Sequence, residues 1–400
     1  MRNQVCLIIF TLLYRAEAIW NRFDLVRNRT GAWGSNSTIS FVKITQANTI
    51  PNLPPGANFG WSVVSIGDID NNGVDDIAVG APNEGFQNTS SGADVIGAGA
   101  VYILLMGDMG TVLSYTRLGH NSADNLVLSA NDQFGYSVAG IGDLDGDGVP
   151  DMVVGAPGYI ISSAYILYMQ TNGSIRNLTL IRGEYTGVLP DGVNSTSFNL
   201  SSVSAYTYNG PPITYGCRFA TALANIGDVN GDSITDLAVS SVDNRVGLST
   251  VYFLHLSPNG TVVSFTTIVP RTHRPEPVTF NAYGRSVMGF PDLNNDNISE
   301  VIVGAPLAFE TGSLNQNAGE LYVNFLYPNN TVRNTTLISE TSMGKFIRGS
   351  RRLPYAVSLL SAVFHNHKPY IHCMSIHYTP YTIIHPYTFP CSLTTSVARV

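Results

Sequence analysis

Charge is scarce in this chain: lysine occurs three times and charged residues make up 12% of 400. Basic residues are few and unclustered before the last sixty positions, which excludes a nucleic-acid-binding surface over most of the length. No eighteen-residue apolar stretch occurs, so nothing reads as a bilayer-spanning helix. A Gly-rich phosphate loop, a nucleophile elbow and a zinc-protease helix are all missing, and with them the usual sequence grounds for an enzyme. Cysteine is represented four times. Cys373 and Cys391 can pair in an oxidising compartment, Cys217 is left odd, and Cys6 lies in the amino-terminal apolar segment.

What the chain does hold is an acidic nonapeptide, repeated. Asp143 to Asp151 reads D-L-D-G-D-G-V-P-D, and three further nonapeptides begin at Asp68, Asp228 and Asp292. Each follows an aromatic-small pair and a Gly-Asp or Pro-Asp step, and each leads into a short β-branched run. The spacing between copies is unequal, as in repeat architectures with insertions between units.

Side-chain oxygens recur at positions 1, 3, 5 and 9, and position 7 is an apolar residue whose carbonyl can turn inward. That is how a short loop surrounds a hard cation such as calcium. The side-chain sets are Asp68, Asp70, Asn72 and Asp76; Asp143, Asp145, Asp147 and Asp151; Asp228, Asn230, Asp232 and Asp236; and Asp292, Asn294, Asp296 and Glu300. The carbonyls would come from Val74, Val149, Ile234 and Ile298. Thirteen of the 28 acidic residues fill these positions, so the net charge of -7 belongs mostly to the loops and not to a surface meant for a basic partner.

The competing readings are plain turns, for which Asp, Asn and Gly are well suited, and an EF-hand. An EF-hand needs Glu at position 12 and a following helix, whereas position 12 here is Val79, Val154, Val239 or Val303 inside β-branched runs. The loops therefore join strands. Position 6 favours a left-handed backbone; it is Gly73, Gly148, Ser233 or Asn297, and glycine adopts that conformation freely. Up to four calcium ions are expected, with fit ranked second loop, first, fourth, third.

The pattern F-G-x-S-V-x-x-I-G-D-x-D-x-[ND]-G-x-x-D-x-x-V-G-A-P, carried by Phe59 to Pro82 and Phe134 to Pro157, resembles the FG-GAP repeat of integrin alpha subunits. Tyr283 to Pro306 keeps Gly304-Ala305-Pro306, while the third copy departs, with Phe219-Ala220 at its opening and Ser240-Ser241-Val242 at its close. The resemblance covers about residues 39 to 338. It implies an all-β fold, a β-propeller of four-stranded antiparallel blades, with calcium in loops on one face and partners bound mainly on the other. Four full blades are expected at 59–133, 134–218, 219–282 and 283–338, with a partial blade at 19–58 and a divergent tail at 339–400. The ring is either five-bladed, closed by strands from the tail, or an incomplete part of a larger ring.

Alternating segments mark the outer strands: Thr38 to Ile44, Val112 to Leu118, Ile175 to Ile181, Val262 to Ile268 and Val332 to Ile338. In the second unit the strands are expected at Phe134 to Gly142, Met152 to Gly155 and Ala164 to Met169, with the hairpin Asn172-Gly173 before the outer strand. Alternation places metal loops and hairpins on one face and the long connections on the other. The longest, Arg182 to Arg218, carries Tyr185, Tyr206, Tyr208 and Tyr215 among Ser and Asn, a mixture suited to binding and equally to a solvated insertion.

Residues 1–18 read as a secretory signal, with Arg2, an apolar run from Val5 to Tyr14 and the small-residue site Ala16-Glu17-Ala18. Eleven Asn-x-Ser/Thr sequons accompany it, at Asn28, Asn36, Asn88, Asn172, Asn177, Asn194, Asn199, Asn259, Asn297, Asn329 and Asn334. The tail holds His365, His367, His372, His377 and His385 around Cys373, with spacings that match no zinc or copper site. The expected function is an extracellular, non-enzymatic calcium-binding propeller for adhesion or protein recognition. The alternatives are a glycan-binding lectin on the same fold and an accessory propeller of a secreted hydrolase or lyase.

Overall fold

The computed structural model describes residues 44, 50, 53–87, 92, 94–123, 126–158, 162–182, 184–185, 212–213, 217–243, 249–268, 282–296, 298–306, 308, 319–328, 331–338, 360–365 and 368–373. The signal segment 1–18, the outer strand expected at Thr38 to Ile44 (apart from Ile44), most of the Arg182–Arg218 insertion and most of the tail lie outside these residues.

Among the described residues four sheets of four antiparallel strands follow one another. The first holds β1 (Ser62–Gly67), β2 (Asp76–Ala81), β5 (Ala100–Gly107) and β6 (Thr111–Gly119), with a two-residue pair β3 (Phe86–Gln87) and β4 (Asp94–Val95) in its 2-3 connection. The second is β7 (Ser137–Gly142), β8 (Asp151–Ala156), β9 (Ser163–Met169) and β10 (Ile175–Arg182). A short parallel pair, β11 (Glu184–Tyr185) and β12 (Pro212–Ile213), precedes the third sheet: β13 (Cys217–Gly227), β14 (Asp236–Asp243), β15 (Thr250–Leu256) and β16 (Val262–Ile268). The fourth is β17 (Ser286–Phe290), β18 (Glu300–Ala305), β19 (Glu320–Leu326) and β20 (Val332–Ile338); a hairpin, β21 (Leu360–His365) and β22 (Lys368–Cys373), lies in the tail. The strands expected in the second unit agree with β7 to β10 to within a few residues, and β16 and β20 coincide with their expected spans.

The sheets radiate. Inner strand β1 packs beside β7, β7 beside β13 and β13 beside β17, which is the blade arrangement of a β-propeller; no sheet closes on itself among the described residues. Stacking of blade on blade explains the strand sequences. Strands β5, β8 and β9 are buried at every residue because each has a blade or covering segment on both faces, so they read as unbroken apolar runs. The rim strands β6, β16 and β20 are mostly exposed or half-buried, because one of their faces meets water. Apolar clusters fill the seams between successive blades, and residues around Ile50, Leu53, Ala57 and Phe59 cover the far face of the first.

The repeat motif itself makes the seams. In every unit the opening aromatic meets a tyrosine of the third strand edge-on: Phe59 with Tyr102, Phe134 with Tyr165, Phe219 with Tyr252 and Tyr283 with Tyr322. The glycine that closes one repeat lies against the small residue that opens the next. A Cβ on Gly80 would stand 1.9 Å from the Gly135 carbonyl oxygen, and one on Gly155 2.3 Å from that of Ala220. Ser62 and Ser137 donate their hydroxyls across the same seams, to Gly135 and Ala220 carbonyls, each at 2.8 Å. At the rim Thr116 donates to the Asn172 carbonyl and Thr179 to that of Asn259, both at 2.9 Å, tying each 3-4 hairpin to the preceding blade. The third unit keeps this geometry with other residues: Ala220 takes the positive φ (62°) of the missing glycine, and Ser240 Oγ accepts from the Ala222 amide at 2.8 Å.

Candidate metal centres

Each acidic loop joins the first and second strands of its blade, and its position 9 is the first residue of the second strand. Those four carboxylates, Asp76, Asp151, Asp236 and Glu300, are fully buried. Their oxygens accept main-chain amides. Asp76 takes those of Ile69 (2.8 Å) and Met106 (2.7 Å), and Asp151 those of Leu144 and Met169 (both 3.0 Å). Asp236 takes those of Val229 (3.2 Å) and Leu256 (3.4 Å), while Glu300 takes the amide of Leu293 (2.5 Å) and the Asn294 side chain (3.2 Å). In the first three blades this carboxylate thus clasps its loop to the end of the third strand. Position 2 anchors the loop from below, with Ile69, Leu144 and Val229 buried.

Positions 1 and 5 shape the loop by accepting from its own backbone. Asp143 takes the amides of Gly146, Asp147 and Gly148, and Asp228 those of Gly231, Asp232 and Ser233. Asp68 takes those of Asn72 and Gly73, and Asp292 those of Asn294 and Asp296. Position 5 accepts from position 7: Asn72 from Val74, Asp147 from Val149, Asp232 from Ile234 and Asp296 from Ile298. The side chains of Val74, Val149, Ile234 and Ile298 pack against apolar clusters. The backbone is left-handed at position 6 in Gly73, Gly148 and Ser233; Asn297 lies outside the described residues. It is left-handed also at position 4, in Asn71, Gly146, Gly231 and Asn295. Only Asn and Gly stand at position 4, a signal in the sequence that points to this conformation.

In three loops the carboxylates converge. Oxygens of Asp68, Asp70 and Asp76, of Asp143, Asp145 and Asp151, and of Asp292, Asp296 and Glu300 lie within 4.8 Å of one another in each set. Such crowding of anions, with Asp145 Oδ1 buried and lacking a hydrogen-bond partner, fits a hard divalent cation. Loop three is different. Asp228, Asp232 and Asp236 form no such group, and His255 Nδ1 lies 3.2 Å from Asp236 Oδ2 and 3.3 Å from Asn230 Nδ2. Arginines approach two of the other loops from the rim strands: Arg176 contacts Asp145 and, at 2.9 Å, Asp147, and Arg333 lies 3.4 Å from Asp296. The same place holds exposed Leu113 in blade one and Val263 in blade three. These arginines and His255 reach the loops through strand pairing, so local spacing did not reveal them.

Burial raises the pKa of all four position-9 carboxyls, Asp151 to about 6, with backbone amides opposing and neighbouring Asp145 and Asp147 adding to the rise. Asp132, outside the loops, is also pushed up to about 6 by burial. In ion-free protein these groups bind protons in the folded chain that the unfolded chain, with Asp near 3.8, has already released. The melting temperature in chelator should therefore fall as pH rises from about 4 to about 6 and flatten above that. A melt that climbs steadily through the same window would contradict the assignment.

The FG-GAP repeat family matches residues 59–104 and 134–168, the first two units. Two FG-GAP repeats thus lie in this chain, which is similar to integrin alpha subunits. The FG-GAP chain is 30% identical over 172 residues to integrin alpha-6 of Gallus gallus, covering 43% of this chain and 13% of that protein. It is 26% identical over 258 residues to integrin alpha-PS2 of Drosophila melanogaster (62% and 15%), and 38% identical over 103 residues to integrin alpha-3 of Cricetulus griseus (26% and 8%). The matched FG-GAP region thus spans a small fraction of these relatives. Among solved structures, an exotype rhamnogalacturonan lyase superposes with a TM-score of 0.33 at 13% identity, over 77% of this chain and 52% of that one, too loosely to bear on fold or chemistry.

Proposed function

We propose that this FG-GAP chain is an extracellular recognition propeller without catalytic activity, braced by calcium in its acidic loops and binding a protein partner on the opposite face. The observation that carries it is the convergence of three carboxylates in each of three structurally equivalent loops. Asp68, Asp70, Asn72 and Asp76 would hold one ion, with the second and fourth sets doing the same and the position-7 carbonyls completing each. A bound cation supplies the positive charge that clustered carboxylates need to stay in a tight hairpin. The third loop, with His255 against its position-9 carboxylate, is the weakest candidate. The units at 59–133, 134–218, 219–282 and 283–338 are the blades.

The sequons that fall within the described residues, at Asn172, Asn177, Asn259 and Asn334, are all exposed, as a glycan acceptor must be. No described helix is long and apolar enough to cross a membrane. A lectin would repeat one sugar pocket from blade to blade. The side chains that open the inner strands, Trp61, Tyr136, Thr221 and Arg285, are unlike one another, which favours a single protein partner.

Calcium titration followed by thermal melting tests the reading. Each occupied site should add about 2.7 kcal/mol when free calcium is about 100 times Kd. Asp145→Ala should shrink the calcium-induced shift more than Asp232→Ala does. Equal and negligible effects, or a chelator-insensitive melt of the unaltered protein, would reduce the loops to plain turns.

A further inference from the structure

The rim segments that begin at Val112, Ile175, Val262 and Val332 differ at their second residue, which is Leu113, Arg176, Val263 or Arg333. Both arginines turn toward the acidic loop of their own blade. A single nitrogen of Arg176, Nη2, bridges Asp145 Oδ2 and, at 2.9 Å, Asp147 Oδ2. Arg333 reaches Asp296 Oδ2 at 3.4 Å, a looser contact. The Arg176 guanidinium stands over the ring of Tyr168, with Cζ 5.9 Å from the ring centre. That ring is itself fixed, because its hydroxyl donates to the Pro258 carbonyl of the next blade at 3.2 Å.

The bridged oxygens are those that the loop's own backbone leaves over. Asp143 and Asp151 accept main-chain amides on both oxygens, and Asp147 Oδ1 accepts from Val149. Asp147 Oδ2 and the two oxygens of Asp145 remain, and Asp145 Oδ1 is buried without a hydrogen-bond partner. The arginines also follow charge. Position 5 is Asp147 or Asp296 where the rim holds arginine, and the neutral Asn72 where it holds Leu113. Loop three, with Val263 and Asp232, forms no converging set, and Asp232 accepts from the Asn230 side chain at 2.9 Å instead. The closer arginine has the larger effect: Asp296 converges with Asp292 and Glu300, whereas Asp147 stands outside the set of Asp143, Asp145 and Asp151. A guanidinium placed on the oxygens of a cation site neutralises them when no ion is bound and repels a divalent ion that approaches.

We propose that Arg176 is a built-in counter-ion of the second loop, which balances its carboxylates in the absence of calcium and gives up Asp145 and Asp147 when the ion enters. The second loop is thereby a lower-affinity site that fills as calcium rises, after the first loop, which has no arginine. This order reverses the one that the side-chain sets suggest. The inference rests on the loops being calcium sites and adds how their occupancy is graded. The test is calorimetric titration of the full chain with calcium chloride, beside thermal melts in chelator and in excess calcium. Arg176→Gln should tighten one site about tenfold, since it removes a positive charge from beside a divalent ion. In chelator the same variant should melt below the unaltered protein, because four carboxylates lose their counter-charge, and its calcium-induced rise should be the larger. Leu113→Arg, at an exposed position, should do the reverse and weaken the first loop.

Unchanged or weaker calcium binding by Arg176→Gln, beside a normal titration of the unaltered protein, would overturn the counter-ion role and leave the calcium sites standing. A variant that melts lower by the same amount in chelator and in calcium would overturn it too, since that is the mark of an arginine that only packs. Should Arg176→Gln fail to fold, Leu113→Arg decides: a weakened first loop supports the role, and an unchanged one ends it. No calcium binding by the unaltered protein would sink the calcium reading and this inference together.

Discussion

Asp151→Ala should destabilise the protein by about 2–4 kcal/mol whether calcium is present or chelated, because the amides of Leu144 and Met169 lose their acceptor in a place water does not reach. Asp145→Ala should behave in the opposite way. In chelator its effect should be small, since the half-exposed ion pair to Arg176 that it breaks is offset by removing an anion with a buried, unpartnered oxygen from a crowded set. Its cost should emerge only in calcium. Comparing the two variants by chemical denaturation, with and without chelator, separates a structural clasp from a cation ligand. If Asp151→Ala melts with the unaltered protein in chelator, the clasp is not what holds the loop to the third strand.

Gly80→Ala should be at least as damaging, and for a reason confined to space. The added carbon would sit 1.9 Å from the Gly135 carbonyl oxygen and 2.2 Å from Ser62 Oγ, and a backbone oxygen cannot rotate out of the way. Blades one and two must move apart, breaking the bond from Ser62 to Gly135 and opening the apolar seam between them. Overpacking of this kind costs about 1–3 kcal/mol where side chains can yield, and more where only backbone can. Gly73→Ala is the control: its Cβ meets nothing within 4 Å, and its penalty comes from the positive φ of 88°, about 1–2 kcal/mol. Equal losses in the two variants by thermal melting would show that crowding at the seam is not the dominant effect.

Much of this architecture was legible because the repeat writes it four times. The acidic loops stand out by composition, and the rim strands Val262–Ile268 and Val332–Ile338 mix polar with apolar residues, as strands with one face in water do. The buried strands offered less, since β8 and β9 are apolar throughout and alternation says nothing about them. Within the loops the oxygen-bearing side chains were all visible, yet the division of labour among them was not. Position 9 differs from positions 1 and 3 only in where its partners lie, and one of those partners is a main-chain amide some twenty or thirty residues further on, at Met106 for Asp76 and Met169 for Asp151. An amide donor carries no side-chain signature. The same holds for His255, which stands across a strand pair from its loop and turns the third copy into the exception that Ser233 alone had hinted at.

The hydroxyl contacts that span neighbouring blades, Ser62 and Ser137 near the hub and Thr116 and Thr179 at the periphery, make the assembly mechanically serial. Strain entering one sheet is passed to the next at two radii, so rotation of a single sheet about its own strands is resisted, while loosening spreads along the series. Amide hydrogens of β8 and β14, flanked by sheets on either side, should accordingly exchange with deuterium more slowly than those of β2 and β18, the corresponding strands of the first and last four-stranded sheets.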